Sequence, residues 1–187
     1  MNKIPETLNA EITPTEFEKE VHQHLIEVGN TLRGFEAIHN TKLLASDGEY
    51  QIDIQVDFEA LNTNFKVLVE CKRYKNSINR EKVQILHTKL ISTGSQKGII
   101  YSTSAFQRGA ILYAQKHRIA LIRVIEGKYT YVVKSKNSEH FSIPEWANEP
   151  KYVGVFEYIN EENGFLTTCN LQKGYMESLS NFIFKNS

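Results

Sequence analysis

Three charged residues on two neighbouring segments carry the first chemical signal. In the segment around residues 51 to 58, Ile52, Ile54, Val56 and Phe58 are apolar while Gln51, Asp53, Gln55 and Asp57 are polar. In the segment 65 to 72, Phe65, Val67, Val69 and Cys71 are apolar while Lys66, Glu70 and Lys72 are polar, with Leu68 the exception. Alternation of this kind marks strands with one buried face, and the short connection from Ala60 to Asn64 predicts an antiparallel hairpin. Opposed residues in such a pair share a face, so aligning the two apolar sets puts Asp53 on the face of Glu70 and Lys72, directly across from one or the other. Two carboxylates and an ammonium therefore converge on rigid strands.

Two acids on adjacent strands can hold a hard divalent cation such as Mg²⁺, with water and phosphate oxygens completing its shell. A lysine beside them can orient or deprotonate a bound water, or offset charge building on a phosphoryl group. The plain structural alternative is a cross-strand salt bridge on a solvated sheet face. The neighbourhood favours chemistry. Residues 47 to 70 hold six acids against one base, Lys66, whereas residues 72 to 97 hold seven bases against one acid, Glu81. An acidic patch bordered by Arg73, Lys75, Arg80, Lys82 and Lys89 suits the cutting of a polyanion, with cation ligands at the bond and phosphate contacts beside it.

The elements that must position these groups read as follows. Residues 1 to 14 form a loose leader, and Thr15 with Glu18 fits a capping box opening a helix over about 15 to 29 on Phe17, Val21, Leu25 and Val28. A strand with a bend runs from Phe35 to Ala45, ending at Asp47-Gly48. A helix capped by Asn79 spans 79 to 92 on Val83, Leu86, Leu90 and Ile91. A strand at 97 to 103, a helix at 105 to 117 and a strand at 119 to 125 complete a mixed sheet with helices on both faces. Beyond Gly127, segments at 129 to 133, 152 to 159 and 165 to 168 read as hairpin strands, and 171 to 184 as a short helix.

The string Val69-Glu70-Cys71-Lys72, the upstream Asp47 to Ile54 and the helix opening Glu16-Phe17-Glu18 resemble the PD-(D/E)XK nuclease superfamily. The later Gly98-Ile99-Ile100-Tyr101 through Ala110, Ala114 and Ile119 to Ile122 is similar to its Mrr-type restriction endonuclease branch. The resemblance covers about residues 15 to 125; Ile52 stands where the superfamily's proline would precede the aspartate. It implies an α/β fold: a restriction-endonuclease-like mixed sheet flanked by helices on both faces, with 126 to 187 a hairpin-rich C-terminal extension. It further implies Asp53 and Glu70 as metal ligands, Lys72 as the catalytic lysine, Gln84 beside the site, and Glu18 completing the metal shell unless it only closes its capping box. The expected activity is Mg²⁺-dependent hydrolysis of DNA, Mn²⁺ substituting, to a 5′-phosphate and 3′-hydroxyl, in restriction or phage defence. A non-cleaving nucleic-acid-binding or assembly subunit, and a repair nuclease for structured or single-stranded DNA, are the other readings.

Composition narrows the field further. The chain has 187 residues, 41% hydrophobic, with 22 Lys+Arg against 22 Asp+Glu. Zero net charge excludes binding of nucleic acid through a global field, so affinity must come from a local patch. Cys71 and Cys169 build neither a disulfide framework nor a zinc quartet, and a reduced cytoplasm is the expected setting. No apolar run approaches the roughly 18 residues of a membrane span. The six histidines show no zinc-protease spacing, and there is no phosphate-binding glycine loop. The aromatic segment 126 to 187 is expected to be strand core or to support a homodimer or partner contact.

Overall fold

The computed structural model describes residues 12–126 and 152–171. Helix α1 spans Pro14–Gly29, and strands β1 (Arg33–Ala45), β2 (Gly48–Ala60) and β3 (Thr63–Lys72) follow. Helix α2 (Arg80–Thr93), β4 (Lys97–Ser102), α3 (Arg108–Lys116), β5 (Ile119–Glu126), β6 (Tyr152–Ile159) and β7 (Leu166–Leu171) complete the described elements. The seven strands form one sheet in sequence order. β1, β2 and β3 run antiparallel, β3, β4 and β5 parallel, and β5, β6 and β7 antiparallel again.

The apolar stripes of the helices decide the layers. Phe17, Val21 and Leu25 of α1 pack against Ile54, Val56, Val67, Val69, Ile99 and Ile122 on one face. Val83, Leu86 and Leu90 of α2, with Ala110, Ile111 and Ala114 of α3, pack against Leu68, Ile100, Ile119 and Leu121 on the other. The expected mixed sheet with helices on both faces is present. Ile91, counted in the α2 stripe from its spacing, is 69% exposed, because the buried stripe runs through Val83, Leu86 and Leu90 alone.

The start of α1 differs from the sequence reading. The capping box is Thr13 and Glu16, two residues earlier than expected: Glu16 N donates to Thr13 Oγ1 at 3.2 Å and Thr13 N donates to Glu16 Oε2 at 2.8 Å. Pro14, pre-set for helix by its fixed φ, takes the first turn. Ile12 is buried at 7% exposure and its carbonyl accepts from Arg73 Nε at 2.7 Å, so the chain is already docked from Ile12. The remainder of the expected leader, residues 1–11, lies outside the described residues.

One irregularity sets up the site. Ile54, Val56 and Phe58 belong to the α1-side cluster, but Ile52 belongs to the α2-side cluster with Leu43 and Tyr50 nearby. Phe35 and Ala37 of β1 likewise pack on the α1 side. The β1–β2 hairpin therefore turns over between these positions. Asn40, at φ 54, sits at that point, where the register brings it opposite Asp53. Uniform alternation would have kept Ile52 with Ile54. The change of side is a local twist that alternation alone does not reveal.

At the other end, β6 pairs with β5 and buries Val153, Val155 and Ile159, and Leu171 of β7 is 3% exposed. Arg123 Nε of β5 lies 2.8 Å from Glu157 Oε1 of β6, both side chains nearly buried. The β6–β7 hairpin thus extends the same sheet; Leu171, expected to open a helix over 171–184, instead ends β7, and the expected strand 129–133 and the rest of that helix lie outside the described residues. A chain truncated after Glu126 should expose the flank of β5 and lose its cooperative melting transition. A truncated chain melting like the native one would show that the hairpin is dispensable.

Candidate active site

Asp53, Glu70 and Lys72 meet where β2 and β3 part. The ladder between them runs from Ala60 opposite Thr63 to Ile54 opposite Val69, and the same register carried one step further sets Asp53 across from Glu70. Asp53 Oδ2 instead accepts the main-chain N–H of Cys71 at 2.7 Å, so the carboxylate closes the ladder in place of a backbone carbonyl. Lys72 Nζ donates to Glu70 Oε2 at 2.5 Å and lies 3.8 Å from Asp53 Oδ2. The ammonium therefore bridges the two acids. Cys71 and Val69 point into the α1-side core.

Burial and charge strain this cluster. The Glu70 side chain is 5% exposed, against 21% for Lys72 and 22% for Asp53. Burial, then the neighbouring charge of Glu70, push the Asp53 carboxyl above its usual range; the Cys71 N–H and Lys72 oppose them. Burial works against the charge of Lys72, but Glu70 and Asp53 outweigh it and hold the ammonium above its ordinary value. A thiol beside them, Cys71, is pushed well up by burial and by Asp53.

The other expected residues are more dispersed. Glu18 on α1 lies close enough to add to the negative field at Asp53, but its Oε2 is 3.2 Å from His39 Nε2. It takes no part in the cap, which corrects the Thr15–Glu18 assignment. Gln84 is exposed on α2, and its main-chain carbonyl accepts from Thr88. Among the basic residues, Arg73 is tied to Ile12 O, and the Arg80 guanidinium lies 4.8 Å from the centre of the Tyr113 ring. Lys75 is exposed and Lys82 partly so. Lys89 is turned inward: Nζ donates to Glu70 Oε1 at 2.5 Å and to Gln51 O at 2.6 Å, with the side chain 16% exposed. An ammonium in that position corrects its placement among outward phosphate contacts.

Two hard carboxylates on adjacent strands suit Mg²⁺ or Mn²⁺, which take the rest of their shell from water and phosphate oxygens. The crowding of Asp53 by Glu70 is a deficit that a cation would relieve. Among the described residues no group of three His, Cys, Asp or Glu side chains that could hold a metal ion is present.

Residues 9–127 match the restriction endonuclease family model Mrr_cat. The chain belongs to this restriction endonuclease family. Its seven-stranded mixed sheet between helical layers is a restriction-endonuclease-like fold, and the matched span contains Glu18, Asp53, Glu70, Lys72 and Gln84. No curated protein matches the sequence. Among solved structures the chain is similar to a protein of unknown function, AF1548 (18% identity, TM-score 0.46, 56% of either chain covered). It is also similar to the MspJI restriction endonuclease, solved with a 27-mer oligonucleotide (22% identity, TM-score 0.39, 57% of this chain and 25% of that one). A third is Can2 from Sulfobacillus thermosulfidooxidans, in complex with cyclic tetra-adenylate (16%, 0.44, 67% and 36%). The similarity thus spans about half of the first and a quarter of the second. No helix among the described residues of this family member is long and apolar enough to cross a membrane.

Proposed function

We propose that this chain is a Mg²⁺-dependent endonuclease that hydrolyses DNA phosphodiester bonds, in a cytoplasmic restriction or phage-defence role. One observation carries the reading: Lys72 Nζ stands 2.5 Å from Glu70 and 3.8 Å from Asp53 at a strand edge of a restriction endonuclease family fold. Asp53 and Glu70 would hold the cation, with Glu18 available to extend its shell from α1. When bound, Mg²⁺ supplies Lewis acidity and favours hydroxide over water. Lys72, fixed by the two acids, orients the attacking water and offsets charge on the phosphoryl oxygens. Gln84, exposed on α2, orients water or phosphate once DNA is seated.

Lys75, Lys82 and Arg80 are the groups proposed to meet phosphates, with Arg73 contributing where its guanidinium reaches beyond Ile12. Such contacts are sequence-independent and salt-sensitive. One site cuts one strand, so a second copy or a partner subunit would complete a double-strand break. A pure binder has no use for a buried acid pair facing phosphate.

The test is the chemistry of the ends. A labelled duplex incubated with the chain and Mg²⁺ should yield fragments that ligase rejoins directly, as a 5′-phosphate and 3′-hydroxyl allow. EDTA should leave the duplex whole. A chain that retards the duplex in Mg²⁺ but never breaks it is the non-cleaving subunit, and breakage confined to single strands or junctions is the repair nuclease.

A further inference from the structure

Glu70 is served by two lysines, and only one of them is explained by the chemistry above. Lys72 Nζ takes Oε2 at 2.5 Å, the oxygen on the Asp53 side; Lys89 Nζ takes Oε1 at 2.5 Å from helix α2. With Asp53 beside Glu70 two ammoniums balance the two acids, but charge balance alone does not require the second to be buried. Burying a second costs desolvation that a surface lysine avoids. Its other partner supplies the reason. Gln51, whose carbonyl accepts from Lys89 at 2.6 Å, lies two residues before Asp53. The hairpin changes sides at Asp53, and the β2–β3 ladder stops one residue later at Ile54 opposite Val69. At the point where backbone pairing no longer fixes β2 against β3, a single ammonium ties the main chain of one strand to the acid of the other.

We propose that Lys89 is a positioning residue: it fixes Asp53 and Glu70 at a set separation and holds Glu70 Oε1 on the helix, leaving Oε2 to face Asp53 and a divalent cation. This rests on the metal-site reading above. Groups that hold metal ligands from behind commonly govern affinity by 10- to 100-fold, roughly, when removed. Arginine, also a multiple donor and always charged, can bridge the same two acceptors; methionine fills the space without donating.

Mn²⁺ titration by calorimetry, without DNA, separates the alternatives on the native chain, Lys89→Met, Lys89→Arg and Asp53→Asn, with melting temperatures taken alongside. The native chain should bind and D53N should lose binding. K89M should weaken it by about tenfold or more and K89R by less than threefold, whatever the melting temperatures do. Native-like Mn²⁺ affinity in K89M would overturn the positioning role even if its melting temperature fell, since lost packing alone would then be the whole effect. Should K89M fail to fold, Lys89→Gln, a neutral double donor, takes its place under the same criterion. Failure of the underlying reading looks different: native and D53N would titrate alike, and the inference would fall with it.

Discussion

Asp53→Asn should lower the cleavage rate by roughly a thousandfold, the scale on which removing one preorganised charge from a reacting site is felt, while leaving the melting temperature equal to or above that of the native chain. The two halves of this expectation share a cause. The Asp53 carboxylate is partly withdrawn from water and lies beside Glu70, and both effects raise its pKa above the usual carboxylate range. A raised folded-state pKa means that the ionised form costs stability at neutral pH, so a neutral isostere removes that cost. The amide oxygen can still accept the Cys71 N–H that now ends at Asp53 Oδ2. Groups that strain the fold but hold a cation are where stability and activity trade against each other. Initial rates on a labelled duplex, with melting curves of both proteins, check it. A D53N protein that cuts at the native rate would remove Asp53 from the site; one that melts well below native would mean the acid is there to hold the sheet.

Lys72→Ala is expected to reduce cleavage by roughly a hundredfold or more while DNA affinity measured in EDTA stays within about twofold. Lys72 Nζ is shared between the acids, 2.5 Å from Glu70 Oε2 and 3.8 Å from Asp53 Oδ2, and its ammonium is held in the charged form by them. Its loss strips Glu70 Oε2 of a charged donor at a buried position, for which a stability loss of about 1–3 kcal/mol is the ordinary scale. Lys89 remains on Oε1, which limits that cost. Rates at saturating Mg²⁺ are therefore compared below the melting range of the variant. Native-rate cleavage by K72A would take lysine out of the reaction. A large loss of EDTA-state DNA affinity would instead make Lys72 a phosphate contact.

The layers of the fold were legible because they follow from period. The β2–β3 register was confined to two choices by parity, and Ile54 opposite Val69 selects the one that sets Asp53 across from Glu70. Asn79 was readable as the cap of α2, and Tyr152–Ile159 as a strand. What escaped was what period cannot carry. Thr13 and Glu16 repeat the spacing of Thr15 and Glu18, and only the helical start at Pro14 chooses between them. The β2–β3 turn is Leu61-Asn62, both at positive φ, with none of the glycine that usually announces it. The turning over of the hairpin at Asn40 and Asp53 is a backbone event inside an otherwise regular alternation. Lys89 was grouped with its basic neighbours because charge runs usually face solvent; its two acceptors come from strands distant in sequence. In each case a three-dimensional neighbour decides what the local pattern leaves open.

The most direct measurement of the central claim is conversion of supercoiled plasmid by the native chain in parallel reactions with Mg²⁺, Mn²⁺ and EDTA. Catalysis by Asp53, Glu70 and Lys72 around a divalent cation should give nicked or linear product with either cation and intact supercoiled DNA in EDTA. Equal cleavage in EDTA, or none with either cation on plasmids both modified and unmodified, would contradict it.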